Sequence, residues 1–277
     1  MEIKKITLKE HFDFLGENGR NPSLTVYIPE MINEIMEYYG NRPSILVCAG
    51  GGYGGVSSRE SEPIALEFLN QGFNAFVLDY SVAPNRFPTQ LREVAAAMEI
   101  IYKYADEWKC DTEKIAIIGF SAGGHLAAHY STCFDIPEVR EVFPESKSVN
   151  ASILSYPVIT ADKANAHIGS FVNLLGHLPN EEETEKFSCE KRVSENTPPA
   201  FLWHTAEDNG VPAENSMLYA IALSKYKIPY ELHIYPYGPH GLATVDRVTC
   251  GKLSEGQLPA KAWINDANRW LKIMFDL

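Results

Sequence analysis

The chain has 277 residues, with 24 Lys plus Arg against 36 Asp plus Glu and a formal net charge of −12. With 45% hydrophobic and 22% charged residues it has the composition of an ordinary globular protein, which excludes disordered and collagen-like chains. The acidic balance and the absence of any dense basic run argue against nucleic acid and anionic membrane surfaces as partners, because those need clustered Lys and Arg.

The length allows one large domain or two small ones, and it can bury a substantial core. The five cysteines, Cys48, Cys110, Cys133, Cys189 and Cys250, are widely spaced and form no CxxC, so neither a zinc site nor a thioredoxin-like site is expected. The first twenty residues lack the apolar core of a signal peptide, and no apolar run approaches the roughly 18 residues that span a membrane. A reducing, cytoplasmic setting is the expectation.

In chain order, an early strand is predicted at Ile3–Leu8 and a second at Leu24–Ile28, followed by a loop over 30–42. A strand at Ile45–Cys48 runs into a glycine-rich loop. Pro63–Gln71 reads as a helix, Ala75–Leu78 as a strand, and Thr89–Trp108 as a long helix rich in Ala, Ile and Met. Strand Ile115–Ile118 then leads into a short helix, Ala122–Tyr130, and strand Ala151–Leu154 follows. Residues 156–199 show no strand signal and read as an insertion of short helices over one edge of the sheet, or a partial cap. Strand Phe201–His204, helix Pro212–Lys227, strand Glu231–Tyr235, a loop over 236–257 and helix Ala260–Phe275 complete the chain. The central strands are nearly continuous in apolar residues, as in a parallel sheet buried on both faces. The alternation of strands and helices predicts an α/β fold of about eight strands with helices on both faces. No linker divides the chain cleanly, so a single domain over 1–277 is the better reading.

Gly119-Phe120-Ser121-Ala122-Gly123 matches G-x-S-x-G. By composition alone such a match should occur about 0.1 times in a chain of this length, so its context carries the weight. The apolar run Ile115–Ile118 precedes it and a small-residue helix start follows it. That is the strand, sharp turn and helix that lift a serine hydroxyl above a sheet. Glycines flank such a turn because a Cβ would clash with neighbouring backbone. The free N–H groups at the helix start favour a developing oxyanion. The plain alternative is a glycine-rich turn with a capping serine.

Gly50, Gly52 and Gly55 satisfy G-x-G-x-x-G after the Ile45–Cys48 strand, and Asp79 ends the next strand. A dinucleotide site must therefore be weighed. In that fold the helix opens at the third glycine. Here residues 56–62 intervene, and Pro63 signals a later helix start. The competing reading is an oxyanion hole, in which bare backbone N–H groups face the reacting carbonyl oxygen.

A serine nucleophile needs a base, and the base needs an orienting acid. Asp208 lies on the loop after the Phe201–His204 strand, and His240 on the loop after Glu231–Tyr235. Ligands bind at such strand ends in open α/β sheets. These two are chosen, with Glu207 as the alternative acid and His204 as the alternative base. His125 lies within the helix after Ser121 and reads as a structural or pocket-lining residue. His233 lies inside a strand, and His11, His129, His167 and His177 have no strand-end context.

With these residues in place the sequence resembles the α/β-hydrolase superfamily. More narrowly it is similar to the acetyl esterase and acetylxylan esterase-like group, relatives of the hormone-sensitive-lipase-like esterases. The resemblance covers the chain from about residue 20 to its end. It rests on Gly50-Gly51-Gly52-Tyr53, Asp79-Tyr80-Ser81-Val82-Ala83-Pro84, Gly119 to His125, Asp208-Asn209-Gly210-Val211-Pro212 and Pro239-His240-Gly241.

The resemblance implies that Ser121 is the nucleophile, His240 the base and then acid, and Asp208 the orienting carboxylate. It also implies an oxyanion hole from the N–H groups of Gly51, Gly52 and Ala122. Many relatives carry His before the glycine run, where this chain has Ala49. That departure leaves the oxyanion donors open and moves the match toward sugar-esterase-like members. The implied substrate is a small ester with a short acyl group, especially acetate, on a sugar or small alcohol such as an acetylated oligosaccharide. No metal or cofactor is required. Among the aromatic residues near the motifs (Tyr53, Tyr80, Tyr156, Phe171, Tyr237), Tyr53 and Tyr156 are the candidate substrate contacts. The competing functions are an amidase on the same three residues, such as an arylformamidase or peptidase, and a binding module that has lost catalysis.

Overall fold

The computed structural model describes residues 1–16, 21–30, 32 and 40–277. Eight strands form one sheet: β1 Glu2–Thr7, β2 Ser23–Ile28, β3 Arg42–Cys48, β4 Asn74–Asp79, β5 Cys110–Phe120, β6 Ala151–Ser155, β7 Ala200–Thr205 and β8 Tyr230–Tyr235. Their order is β1-β2-β4-β3-β5-β6-β7-β8. Strands β4 to β8 and β3 run parallel, while β2 pairs antiparallel with both β1 and β4.

The apolar strands are buried because helices cover both faces. Side chains alternate across a strand, so Ile45 and Val47 of β3 pack on one face and Leu46 and Cys48 on the other. On the first face lie helices α1 Glu62–Leu69, through Ile64 and Phe68, and α7 Ala262–Met274, through Trp263, Ala267 and Leu271. On the second lie α2 Thr89–Lys103, α3 Ala122–Cys133 and α6 Glu214–Lys225, through Val94, Ile101, Leu126, Tyr219 and Leu223. The period-3.6 stripes of α1, α6 and α7 supply their share, whereas α3 is buried on nearly every side.

Several element boundaries differ from the sequence expectation. The long helix predicted to Trp108 stops at Lys103. A separate turn, Ala105–Trp108, follows and ends at Lys109, whose φ of 54° swings the chain into β5. Strand β5 therefore begins at Cys110, five residues before its apolar run, where Cys110 pairs with Arg42. The loop expected over 30–42 lies mostly outside the described residues, and its last residue already opens β3.

The loop expected over 236–257 contains a helical turn, Arg247–Cys250, capped by the Asp246 carboxylate, and a 3-10 stretch from Glu255 that leads into α7. Between β6 and β7 the chain forms α4 Ile168–Leu175 and α5 Glu181–Phe187. Asn180 and Glu183 close a capping box at the start of α5, which explains why a helix begins in so acidic a run. Among the described residues no helix is long and apolar enough to cross a membrane.

Candidate active site

The C-terminal ends of β3, β5, β7 and β8 carry the residues singled out by sequence. Strand β5 delivers Ser121 directly onto the first turn of α3. The serine has φ 53° and ψ −118°, a conformation that side-chain-bearing residues rarely adopt. Backbone bonds on both sides hold it there. Its N–H donates to the Ser155 carbonyl at 3.1 Å, and its carbonyl accepts from the N–H groups of Val158 and His125 at 2.9 and 3.0 Å. The flanking glycine is dictated by sterics: a Cβ on Gly123 would overlap the carbonyls of both Cys48 and Ala49. Ala122 is the first residue of α3, so its N–H has no partner within the helix.

His240 Nε2 lies 2.8 Å from Ser121 Oγ, and His240 Nδ1 lies 2.7 Å from Asp208 Oδ2. The other carboxylate oxygen, Oδ1, accepts the N–H groups of Gly210 and Val211 at 2.9 and 2.8 Å. Burial alone would raise the Asp208 pKa. Hydrogen bonds from His204 and His240, the adjacent imidazole charge and the Val211 N–H outweigh it, and they hold the carboxyl well below its ordinary value. Asp208 is therefore an ionised acceptor, which places the Nδ1 proton of His240 toward it and leaves Nε2 able to accept from the serine.

The two alternatives from sequence have other positions. The Glu207 carboxylate accepts the Gly238 N–H at 3.1 Å and so braces the histidine loop. His204 is fully buried behind Asp208. Its Nδ1 meets Ser216 Oγ at 2.9 Å, and its Nε2 donates to the Val211 carbonyl at 2.9 Å and lies 3.2 Å from Asp208 Oδ2.

The glycine loop approaches Ser121 from β3. Gly51 has φ 135° and Gly52 φ 62°, both left-handed conformations, and a Cβ on Gly51 would overlap the Gly55 carbonyl. Among the described residues, the N–H groups of Gly51 and Gly52 have no protein acceptor, whereas those of Gly54 and Gly55 turn back onto the Gly51 carbonyl. Ala49, which stands where many relatives have His, is fully buried. The Tyr80 hydroxyl donates to its carbonyl at 2.6 Å.

Tyr53 and Tyr156, the expected substrate contacts, are each only 1% exposed. The Tyr53 hydroxyl sits 2.9 Å from His125 Nδ1 under the glycine loop. The Tyr156 hydroxyl donates to Glu60 Oε1 at 2.7 Å and accepts the Ala243 N–H at 2.9 Å, while its ring stands edge-on to His240 at 5.1 Å. Both support the loops from behind. Of the other aromatic residues near the motifs, Tyr80 and Phe171 are buried and Tyr237 is exposed.

Two residues at the site were not anticipated. Glu60, 3% exposed, accepts the Gly50 N–H at 2.9 Å through Oε2 and the Tyr156 hydroxyl through Oε1. One carboxylate thus ties the glycine loop to the segment beneath His240. Asn173 of α4 donates from Nδ2 to the Gly52 carbonyl at 2.9 Å, and Arg86 in turn donates to the Asn173 carbonyl. Neither residue belongs to a spaced motif, and nothing in the local sequence marks either one. Among the described residues no cluster of His, Cys, Asp and Glu could hold a metal ion.

Residues 26–223 match the BD-FAE family. The chain belongs to this family. Within it, similarity extends to an endo-1,4-beta-xylanase B from Butyrivibrio fibrisolvens, 40% identical over 79% of this chain and 35% of that protein. An acetylxylan esterase from Xylanibacter ruminicola is 32% identical over 72% of this chain and 40% of the relative. The chain therefore spans well under half the length of these two curated relatives. Among solved structures, the acetyl ester-xyloside bifunctional hydrolase from Caldicellulosiruptor lactoaceticus superposes with a TM-score of 0.84 at 34% identity, covering 98% of this chain and 96% of that one. The carboxylesterase Cest-2923 from Lactobacillus plantarum superposes with a TM-score of 0.82 at 27% identity, over 98% and 97% of the two chains. The fold of this BD-FAE member is that of the α/β hydrolases, as the resemblance implied.

Proposed function

We propose that this chain hydrolyses carboxylic esters through Ser121, His240 and Asp208. The observation that carries the reading is the continuous hydrogen-bond relay from Asp208 through His240 to Ser121, with steps of 2.7 and 2.8 Å. Ser121 Oγ attacks the ester carbonyl carbon while its proton passes to His240 Nε2, and Asp208 stabilises the resulting imidazolium. The N–H groups of Gly51, Gly52 and Ala122 receive the negative charge that develops on the carbonyl oxygen. The C–O bond to the alcohol then breaks, and His240 returns its proton to the leaving oxygen. Water repeats the sequence on the acyl-enzyme and releases the acid.

The substrate is a short-chain ester, an acetyl group on a sugar or small alcohol. Relatives described as an acetylxylan esterase and an acetyl ester-xyloside hydrolase support that choice. Ser121→Ala should lose labelling by a fluorophosphonate and nearly all turnover of acetylated xylobiose. Asp208→Asn should remain folded and lose about 10⁴-fold in kcat, because the imidazole tautomer is no longer held. Undiminished hydrolysis by Ser121→Ala, or faster turnover of a peptide anilide or N-formylkynurenine than of any acetate, would overturn the reading.

A further inference from the structure

His167 was passed over in the sequence because it follows no strand, yet the fold brings it to the glycine loop. It ends the coil after β6 and caps α4. Its Nδ1 accepts the Ser170 N–H at 3.3 Å and lies 2.8 Å from Ser170 Oγ. The Ser170 N–H, shared with the His167 carbonyl at 3.0 Å, also points at Nδ1, and this favours the neutral tautomer that carries its proton on Nε2. The ring carbon between the two nitrogens lies 3.8 Å from the point where a Cβ of Gly52 would stand, so the imidazole faces the open side of that glycine.

Nε2 has no hydrogen-bond partner among the described residues, and the residue is only partly buried. Burial first, and then the neighbouring His240, lower the His167 pKa from its ordinary value, with Asp208 opposing.

An acetyl ester offers few places for such a donor. Its methyl group accepts nothing, and its carbonyl oxygen is served by the N–H groups of Gly51, Gly52 and Ala122. The remaining acceptors are the oxygens of the alcohol part. Resting on the esterase reading above, we propose that His167 contacts the substrate, donating from Nε2 to a hydroxyl or ring oxygen of a polyol leaving group. It would thereby select sugar esters over esters of alcohols that lack hydroxyls.

The decisive variant is His167→Asn. Asparagine is a favoured helix N-cap whose side-chain oxygen can take over the Ser170 N–H, while the Nε2 donor is lost. The quantity to compare is the ratio of kcat/KM for acetylated xylobiose to that for p-nitrophenyl acetate, whose leaving group carries no hydroxyl. The ratio should fall about five- to tenfold, the worth of one neutral hydrogen bond, mainly through KM for the sugar ester. His167→Ala, which removes the cap as well, should show the same fall in ratio with a lower melting temperature. An unchanged ratio in both variants would overturn the proposal, whether both esters slow together, as an oxyanion donor would require, or neither does. Ser121→Ala run alongside must abolish turnover of both esters. If it does not, the esterase reading fails first and the His167 assignment falls with it.

Discussion

Two glycine-rich strand ends meet at this site, and they are held in different ways. The turn at Gly119–Gly123 is fixed by backbone sterics. Gly123 stands against the Cys48 and Ala49 carbonyls, a Cβ on Gly119 would overlap the Gly123 carbonyl, and Ser121 is bonded through its own N–H and carbonyl. The loop at Gly50–Gly55 closes on itself at Gly51, whose carbonyl accepts the Gly54 and Gly55 N–H groups and whose Cβ would overlap the Gly55 carbonyl, and side chains from elsewhere tie it to the rest of the fold. Glu60 takes the Gly50 N–H, Asn173 takes the Gly52 carbonyl, Tyr80 takes the Ala49 carbonyl, and His125 takes the Tyr53 hydroxyl. Gly55 has nothing within 4 Å of its missing Cβ. The proposed nucleophile is thus placed by backbone contacts between strand ends, and the groups proposed to stabilise the oxyanion are held in addition by a long-range polar network.

The largest effect that could break this contrast is a methyl group on each side of it. Gly123→Ala should cost about 3 kcal/mol or more of stability, because backbone carbonyls on β3 have no rotamer by which to yield. Gly55→Ala should move the urea midpoint little. Equal costs at the two positions would mean that the loop is as sterically closed as the turn.

A smaller and more selective effect is expected at Glu60. In Glu60→Gln one of two buried donors, the Gly50 N–H or the Tyr156 hydroxyl, faces an amide NH₂ instead of an oxygen. That should cost about 1–3 kcal/mol in stability. It should also lower kcat roughly ten- to a hundredfold with little change in KM, as loosening an oxyanion donor does. A lower melting temperature with unchanged kcat would assign Glu60 a purely structural part.

A separate effect is graded with pH and sharpens the account of what supports the loop. Burial lowers the pKa of His125 to about 3, with His129 adding to it and the bond to Phe187 opposing. Burial also lowers His129 to about 3, with Arg192 and Lys186 adding and Glu138 opposing. Both rings are neutral in the folded chain, while an unfolded histidine takes up a proton near pH 6.5. Stability present above about pH 6.5 should therefore decline as pH falls toward 3, by at most about 1.4 kcal/mol per pH unit for each ring. His129, stacked on Phe87, is the ring to replace: His129→Phe should flatten the melting temperature against pH over that window. An unchanged slope would place the acid sensitivity elsewhere.

The pattern of what was legible follows the same division. The central strands, the helices that cover them and the Ser121 turn are written in periodicity and in one five-residue motif, because burial repeats along the chain and the tight contacts of the turn leave glycines in the sequence. Element ends were less legible. The break after Lys103 depends on where β5 must begin to pair with β3, and the helical turn at Arg247–Cys250 depends on the Asp246 cap. At the site, strand-end position singled out the loops carrying Asp208 and His240. The choice between Asp208 and Glu207, however, needed the geometry that sends one carboxylate to His240 and the other to the Gly238 N–H.

The sequence by itself determined the α/β alternation, the order of the motif residues and the glycines that a serine turn demands, since hydrophobic periodicity and backbone sterics act over a few residues. Only the tertiary structure decided that Tyr53 and Tyr156 are buried supports, that Glu60 reaches Tyr156 across 96 positions, and that Asn173 reaches Gly52 across 121. It likewise brought His167 from a strandless segment to the edge of the glycine loop. Hydrogen bonds between residues so far apart leave no spacing rule in the chain, because their partners meet only after the sheet has set the distance between its strand ends.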